Sequence, residues 1–480
     1  MNYKTILKVL SFFGMSISLI FTLDIFVALI YKEIFLNLLF YNIAIFSFSF
    51  LIYLNLKNEK VSLKIRDSIL VVNIIWILLG VIGAQPLYLY SDISFASAFF
   101  EAISGFTTTG ATIYTDVENL NHTLLFHRSL MHYLGGIGII VLGIGLLSIL
   151  NPTGSLSLFK AESTGVSFEK QTPKIKDMAF NIFLVYNSLI ILDILMLKYF
   201  GMNWFDAINH AFSTISTGGF STKNSSLAYF QNDGIIWGTT LFMILAGVNF
   251  LAHLRLYHKD ITGYKSEEMK IYIFLFLFLS ISLTVSHFNV DENIFYNVLK
   301  NSIFTIASIM TTTGFASIDY SGWSHLSIMI IFLAMLLGGN AGSTSGGVKI
   351  IRYIILAKTF LREFKRTLHP STINSIFIDG EKQNEQIITS TFGFFTLFML
   401  SVGVISIYVY ARGYDAMSAI STGFAIVGNI GPGFSLVGPS NNFSFFSDID
   451  KIILSLGMII GRLECYTVYI LLSISFWKKF

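Results

Sequence analysis

A chain of 480 residues that is 54% hydrophobic and 12% charged, with a mean hydropathy of +0.69, falls outside the soluble globular class, where about a quarter of residues are charged. The net charge of +3 is too small to imply a nucleic-acid partner, and the one cysteine, Cys465, allows no disulfide within the chain and reads as a packing residue. Long apolar runs without period-two alternation predict an all-α integral membrane protein rather than a β-barrel, because crossing roughly 30 Å of hydrocarbon takes about 20 helical residues.

Ten runs predict spans near residues 8–31, 35–56, 68–89, 126–150, 179–200, 235–257, 271–288, 325–357, 387–411 and 451–476. The first follows Lys4 and Lys8 with no small-residue cleavage site after it, so it is read as a retained span and not a signal peptide. Threaded in order, the spans put the basic clusters on one side: Lys57, Lys60, Lys64 and Arg66; Lys160, Lys170, Lys174 and Lys176; Arg255, Lys259, Lys265 and Lys270; Lys358, Arg362, Lys365 and Arg366; and Lys478 with Lys479. The positive-inside rule makes that side cytoplasmic and places both termini there. The opposite connections carry Asp116, Glu118, Asp233, Asp291, Glu292, Asp319, Asp448 and Asp450, and acidic residues at an outer mouth concentrate cations within the screening length.

Four of these outer regions contain a semi-apolar segment too short to cross, which predicts a re-entrant helix. Aligned on a glycine they read FEAISGFTTTGAT, INHAFSTISTGGF, FTIASIMTTTGFA and STGFAIVGNIGPG, with Gly110, Gly218, Gly314 and Gly431 separated by 108, 96 and 117 residues. Each copy lies between two spans, so four units close around a pseudo-fourfold axis. Small residues also serve close helix packing in membranes, but four copies on short segments between spans favour a common turn. Extended backbone at membrane depth is tolerated only where it lines a path or is walled by protein. Rings of carbonyls there replace the water shell of an ion, and glycine permits the positive φ that aims them. Thr108, Ser216, Thr312 and Asn429, two residues before each glycine, place a further ring of oxygens at the inner end. Glu101 and Asn209 stand nine residues before their glycines, where Thr305 and Thr422 stand in the other copies; they are read as hydrogen bonders that hold the turn backbone.

In the third unit the run is interrupted by Gly338-Gly339-Asn340-Ala341-Gly342-Ser343-Thr344-Ser345-Gly346-Gly347-Val348-Lys349. At about 1 kcal/mol per glycine relative to alanine, this stretch predicts an unwound loop facing a cavity. A nucleotide-binding P-loop is rejected because Lys349 is one position late and no Ser or Thr follows it. Arg462 lies about halfway along the last run, and an intramembrane cation turns inward toward a partner. Glu464, two residues on, faces elsewhere on the helix. Asp24 and Asp193 are read as hydrogen-bonded within the bundle, and His132, His210 and His253 show no metal-ligand spacing. A membrane-embedded enzyme with hydroxyl nucleophiles needs a base beside each turn, and no histidine or carboxylate repeats with them; no catalytic residue is assigned.

TTGAT (Thr108–Thr112), DAINHAFSTISTGGFST (Asp206–Thr222), TTTGF (Thr311–Phe315), GNIGPGF (Gly428–Phe434), the glycine-rich stretch and GRLE (Gly461–Glu464) together resemble the Trk/Ktr/HKT superfamily, in its bacterial TrkH-type branch, over essentially the whole chain. The resemblance implies four fused helix–pore helix–helix repeats after two extra transmembrane helices, with boundaries at 1–58, 59–160, 161–262, 263–370 and 371–480. It implies a K⁺ filter of Thr108, Thr109, Gly110, Ser216, Thr217, Gly218, Thr312, Thr313, Gly314, Asn429, Ile430 and Gly431, and a gate of the 338–349 loop in contact with Arg462. It further implies potassium uptake across the bacterial inner membrane, a homodimer, no cofactor bound by this chain, and a separate cytosolic regulatory subunit of the TrkA type that binds NAD(H) or ATP. The basic loops Arg255–Lys270 and Lys358–Arg366 are its candidate docking sites; they serve equally as orientation signals or contacts to anionic lipid. Members with serine in the first strand tend to pass sodium, so a sodium-permeable or poorly selective permease is the alternative. The fourth strand departs from the others, with Ile430, Gly431 and Pro432 in place of hydroxyls.

Overall fold

A crossing segment in hydrocarbon has no hydrogen-bond partner but its own backbone, so runs of Leu, Ile, Phe and Val fold as helices. The structure, a computed structural model, describes residues 2–59, 61, 63–138, 175–288, 295–370 and 374–478. Among the described residues, six helices are long and apolar enough to cross a membrane, or up to eight if two sharply bent helix pairs each count as one span. The chain is an all-α multi-pass membrane protein, with one small hairpin of β1 (Phe377–Ile378) and β2 (Glu381–Lys382).

The N-terminal pair is α1 (Tyr3–Ile20), running through a break at Phe21 into α2 (Thr22–Tyr31), and α3 (Leu36–Asn55). Asn42 on α3 satisfies the break, donating from Nδ2 to Phe21 O at 3.2 Å. Four units of one plan follow. The first is α4 (Ile65–Tyr90), a short α5 (Phe95–Phe106) and α6 (His122–Ile137). The second is α7 (Ile175–Tyr199), a short α8 (Trp204–Ile215), and α9 (Asp233–Ala246) continued by α10 (Phe250–Tyr257). The third is α11 (Glu267–Phe288), α12 (Phe295–Met310), α13 (His325–Met335) and, past residues 336–349, α14 (Ile350–Leu368). The fourth is α15 (Glu385–Ala411), a short α16 (Ala416–Val427), and α17 (Asp448–Arg462) continued by α18 (Tyr466–Tyr469).

Three of the short helices start at a side-chain cap: Ser94 accepts from Ser97 N, Asn203 from Asp206 N and Asp415 from Ser418 N, at 3.2, 2.7 and 3.0 Å. Each cap satisfies an orphan N–H at the helix start. Glu33, in the turn before α3, caps α6 through the N–H groups of His122 and Thr123 at 2.8 and 3.0 Å. Asp24 meets His127 Nδ1 at 2.7 Å, both buried, so the N-terminal pair is keyed to the first unit by polar contacts. Asp193 is fully buried beside Thr214, whose hydroxyl donates to His210 O at 2.8 Å.

Two other predicted spans bend sharply. The run over 235–257 bends by 97° between Ala246 and Phe250, where Asn249 caps the second piece. The run over 451–476 bends by 114° after Arg462, through Glu464 and Cys465 at φ +56° and +57°. Arg462 thus ends a helix rather than lying mid-span. The run over 126–150 is helical to Ile137; its remainder from residue 139, with Lys160, Lys170 and Lys174, lies outside the described residues, as do Lys60, Asp291, Glu292 and Lys479.

Candidate functional site: four turns and the loop beneath them

Each short helix ends in one device. A residue in the left-handed region comes first: Thr108, Thr217, Thr312 and Asn429 at φ +52°, +55°, +59° and +53°. The N–H of the next residue then reaches back five positions, from Thr109 to Ser104 O, Gly218 to Ser213 O, Thr313 to Ser308 O and Ile430 to Ala425 O, at 2.9, 2.8, 2.8 and 2.9 Å. A glycine follows at positive φ: Gly110, Gly219, Gly314 and Gly431 at +79°, +84°, +82° and +92°.

This corrects the second strand, which is Thr217-Gly218-Gly219 and not Ser216-Thr217-Gly218. Ser216 ends its helix at φ −75°, the place held by Thr107 at −76° and Gly428 at −75°. Two adjacent glycines permit either register in sequence, and only the second takes positive φ.

The four turns meet through backbone. A Cβ on Gly110 would strike Gly218 O, one on Gly219 would strike Thr313 O, one on Gly314 would strike Ile430 O, and one on Gly431 would lie 2.6 Å from Thr109 O. The contacts run in chain order and close from the fourth unit to the first. Glycine is required at these four places twice over, for its φ and for the missing side chain. The four carbonyls, of Thr109, Gly218, Thr313 and Ile430, occupy equivalent positions, so their oxygens form one layer.

Side chains brace this layer from outside. Thr107 and Thr109 share a hydroxyl contact at 2.7 Å, as do Thr311 and Thr313. Asn429 Nδ2 donates to Thr109 Oγ1 at 2.9 Å and Met458 O at 3.1 Å. Of the expected inner ring of side-chain oxygens, Ser216 Oγ turns away to donate to Ser213 O at 3.2 Å, and Thr217, which takes its place in the corrected register, donates to Ser216 O at 2.6 Å. Thr108 Oγ1 is buried without a partner.

Glu101 does hold its strand, accepting from Ile113 N at 2.8 Å and Thr112 Oγ1 at 2.9 Å. It pairs there with Arg128 at 2.8 Å, both buried, and Arg128 also donates to Ser221 O at 3.1 Å. Asn209 does not act this way, because its oxygen takes the Ser129 hydroxyl on α6. Thr422 bonds within its own helix, to Ser418 O at 2.6 Å. The bracing residues of the other units are His210, whose Nε2 meets Ser221 Oγ at 2.8 Å; Ser308, which donates to Phe315 O at 2.7 Å; and Ser421, which accepts from Phe434 N at 3.0 Å. His132 bridges two units, donating from Nδ1 to Gly105 O at 2.8 Å and accepting at Nε2 from Phe220 N at 3.1 Å. Arg128 was findable as a cation within an apolar run, and His210 stands nine residues before Gly219, as Glu101 does before Gly110; Ser308 and Ser421, six and ten residues before their glycines, share no offset with them. At the exposed surface, hydrogen bonds from Asn224 hold the Asp116 carboxyl below its usual range and stitch the first two units together.

Residues 336–349 lie against the inner end of the turns. Gly346 N donates to Thr312 Oγ1 at 2.6 Å, and a Cβ on Gly346 would lie 2.6 Å from Gly428 O. The loop is paired with the break in the second unit: Asn340 N donates to Gly247 O at 2.9 Å and Phe250 N to Gly342 O at 3.0 Å. Within the loop, Gly338 N donates to Val348 O and Gly339 N to Ser345 Oγ, both at 2.9 Å, and Gly347 takes φ +64°. Lys349 Nζ is held by Ser343 Oγ at 3.3 Å and Ser345 Oγ at 3.1 Å. Thr344 stands at the centre of these contacts, donating to Ile215 O at 3.0 Å and Ala246 O at 3.2 Å. Arg462 closes the arrangement from the fourth unit, with Nη1 on Thr344 O at 3.0 Å and Nη2 on Gly135 O at 3.1 Å. Glu464 pairs with Arg352 on α14 at 2.5 Å.

The family model described as TrkH, cation transport protein, matches residues 35–479. The chain is 33% identical over 490 residues to the Trk system potassium uptake protein TrkH of Salmonella typhimurium, covering 100% of both. It is 32% identical over 462 residues to the Trk system potassium uptake protein TrkG of Escherichia coli, covering 94% of each. The crystal structure of the potassium transporter TrkH from Vibrio parahaemolyticus superposes with a TM-score of 0.90 at 29% identity, covering 100% of both chains.

Proposed function

Because the chain belongs to the TrkH family of cation transport proteins, which are transporters and not enzymes, we propose that it takes up potassium across the bacterial cytoplasmic membrane through the ring of four turns. Its relatives are named as potassium uptake proteins, which supports the choice of ion. The observation that carries the path is the closure of the ring, each glycine abutting the carbonyl of the next unit. K⁺ entering the ring exchanges water for the oxygens of Thr109, Gly218, Thr313 and Ile430. A backbone packed this closely supplies them at little further ordering cost.

The filter in this reading is Thr108–Gly110, Thr217–Gly219, Thr312–Gly314 and Asn429–Gly431, carried by pore repeats over 59–160, 161–262, 263–370 and 371–480 after the 1–58 pair. The 338–349 loop is the gate, and the Arg462 contact with Thr344 holds it shut. The guanidinium also sets a positive charge beneath the filter, which opposes a cation on the inner side. Both termini face the cytoplasm, the working form is a homodimer, and a cytosolic subunit of the TrkA type with NAD(H) or ATP displaces the loop. K⁺ is cargo here, and the chain needs no cofactor of its own.

Growth of a potassium-uptake-deficient bacterium on limiting potassium tests the assignment. Expression of this chain with the host's cytosolic Trk subunit restores growth; normal membrane levels without rescue refute it. Equal sodium and potassium flux assigns the poorly selective alternative instead.

A further inference from the structure

One carboxylate touches both ends of the loop. Glu268, in the first turn of α11, is 7% exposed, and its Oε1 accepts from Ala341 N at 2.8 Å and from Ile351 N at 3.1 Å. Ala341 lies near the loop's entrance, and Ile351 is the second residue of α14, which leaves it. A segment rich in glycine and serine loses much conformational freedom when ordered, and a carboxylate receiving two amide N–H groups gives hydrogen bonds of the stronger, charge-assisted kind. Lys349 fastens the loop only to itself, whereas Glu268 fastens it to a different helix.

The preceding residue connects that helix start to the face assigned to the cytosol. Glu267 N donates to Asp379 Oδ1 at 2.6 Å, at the tip of the β1–β2 hairpin. The Glu267 carboxylate pairs with Lys358 of α14 at 2.6 Å, and Lys358 donates on to Phe377 O at 2.7 Å. Hairpin, start of α11 and loop exit are thus joined by consecutive polar contacts. One oxygen cannot follow both amides if α11 and α14 separate, so loosening the hairpin frees one end of the loop.

We propose that Glu268 is the positioning residue that holds the loop in its occluding form, and that the β1–β2 hairpin acts on the loop through Glu267 and Glu268. This rests on reading residues 338–349 as a gate. The test is K⁺ flux per reconstituted molecule in liposomes containing the full chain and no partner. Glu268→Gln keeps the size and an acceptor oxygen but removes the charge, and its flux rises several-fold. Glu268→Ala raises it further, and Asp379→Ala raises it less. The ratio of K⁺ to Na⁺ flux stays at the parental value in all three, because the ring is untouched. A purely structural role lowers the yield of protein without raising flux per molecule. Parental or lower flux in Glu268→Gln overturns the proposal even if Glu268→Ala does not fold, and unchanged flux in Asp379→Ala overturns the hairpin's part in it. Arg462→Ala in the same liposomes separates the two levels: a rise there with none in Glu268→Gln defeats this inference alone, and no rise in either defeats the gate.

Discussion

The ring and the loop beneath it are built on opposite plans. Around the ring, four units of different sequence converge on one backbone: TTG, TGG, TTG and NIG adopt the same signs of φ and the same backward hydrogen bond. Below it the units differ in every respect. The first presents Gly135 and Gly136 on a helix, the second breaks at Gly247, the third unwinds over 336–349, and the fourth ends a helix at Arg462. Coordination of an ion by carbonyls needs repetition of geometry, which backbone supplies whatever the side chains. An element that opens and closes needs a unit unlike its neighbours, and here side chains hold the odd unit in place. Under the proposed function, selectivity and gating are in this way separable within one chain.

Substitutions sharpen the contrast. The largest effect belongs to the bracing of the ring. Arg128→Met leaves the Glu101 carboxylate buried and unpaired, which costs about 3–5 kcal/mol; loss of folded protein, read as the fraction surviving detergent extraction and size-exclusion chromatography, is the expected outcome. Arg462→Ala acts on the loop without touching the ring. Removing hydrogen bonds from a charged donor, worth about 1.5–3 kcal/mol each, from the closed state alone raises K⁺ flux about tenfold or more, with the preference over Na⁺ retained. Thr344→Val removes one hydroxyl donor shared between two carbonyls, a neutral hydrogen bond worth about 0.5–1.5 kcal/mol, and raises flux by less than Arg462→Ala under the same conditions. If either loop variant alters selectivity as much as flux, the separation of the two regions fails.

Of the ten spans expected, the sequence carried six as single apolar helices among the described residues, together with the four short helices and the unwound stretch, because each is written in composition over ten or more residues. Register was harder. In STGG, the glycine that abuts its neighbour is fixed by contact with Thr313, nearly a hundred residues on, and nothing local distinguishes Gly218 from Gly219. The breaks after Ala246 and Arg462 were hidden for a related reason. At the first, the freed backbone groups are taken up by a distant segment, Gly247 O by Asn340 N and Phe250 N by Gly342 O; at the second they stay local, with Cys465 N donating to Ile460 O through two left-handed residues that no composition signal marks. The same slip of register misled at Asn209: counted from Gly219, the match to Glu101 is His210, which does hold its strand, while Asn209 faces Ser129 on an adjacent helix.

The central claim is that Gly110, Gly219, Gly314 and Gly431 form one ring, with Gly219 as its second member. The most direct measurement is the ratio of K⁺ to Na⁺ flux through Gly219→Ser in liposomes, beside Gly110→Ser as its symmetry mate. Serine at φ +84° strains the backbone by about 1–2 kcal/mol and drives its Cβ into Thr313 O, so the potassium preference collapses in both variants alike. Protein inserted at parental levels with the preference intact in Gly219→Ser, and lost in Gly110→Ser, would contradict the account.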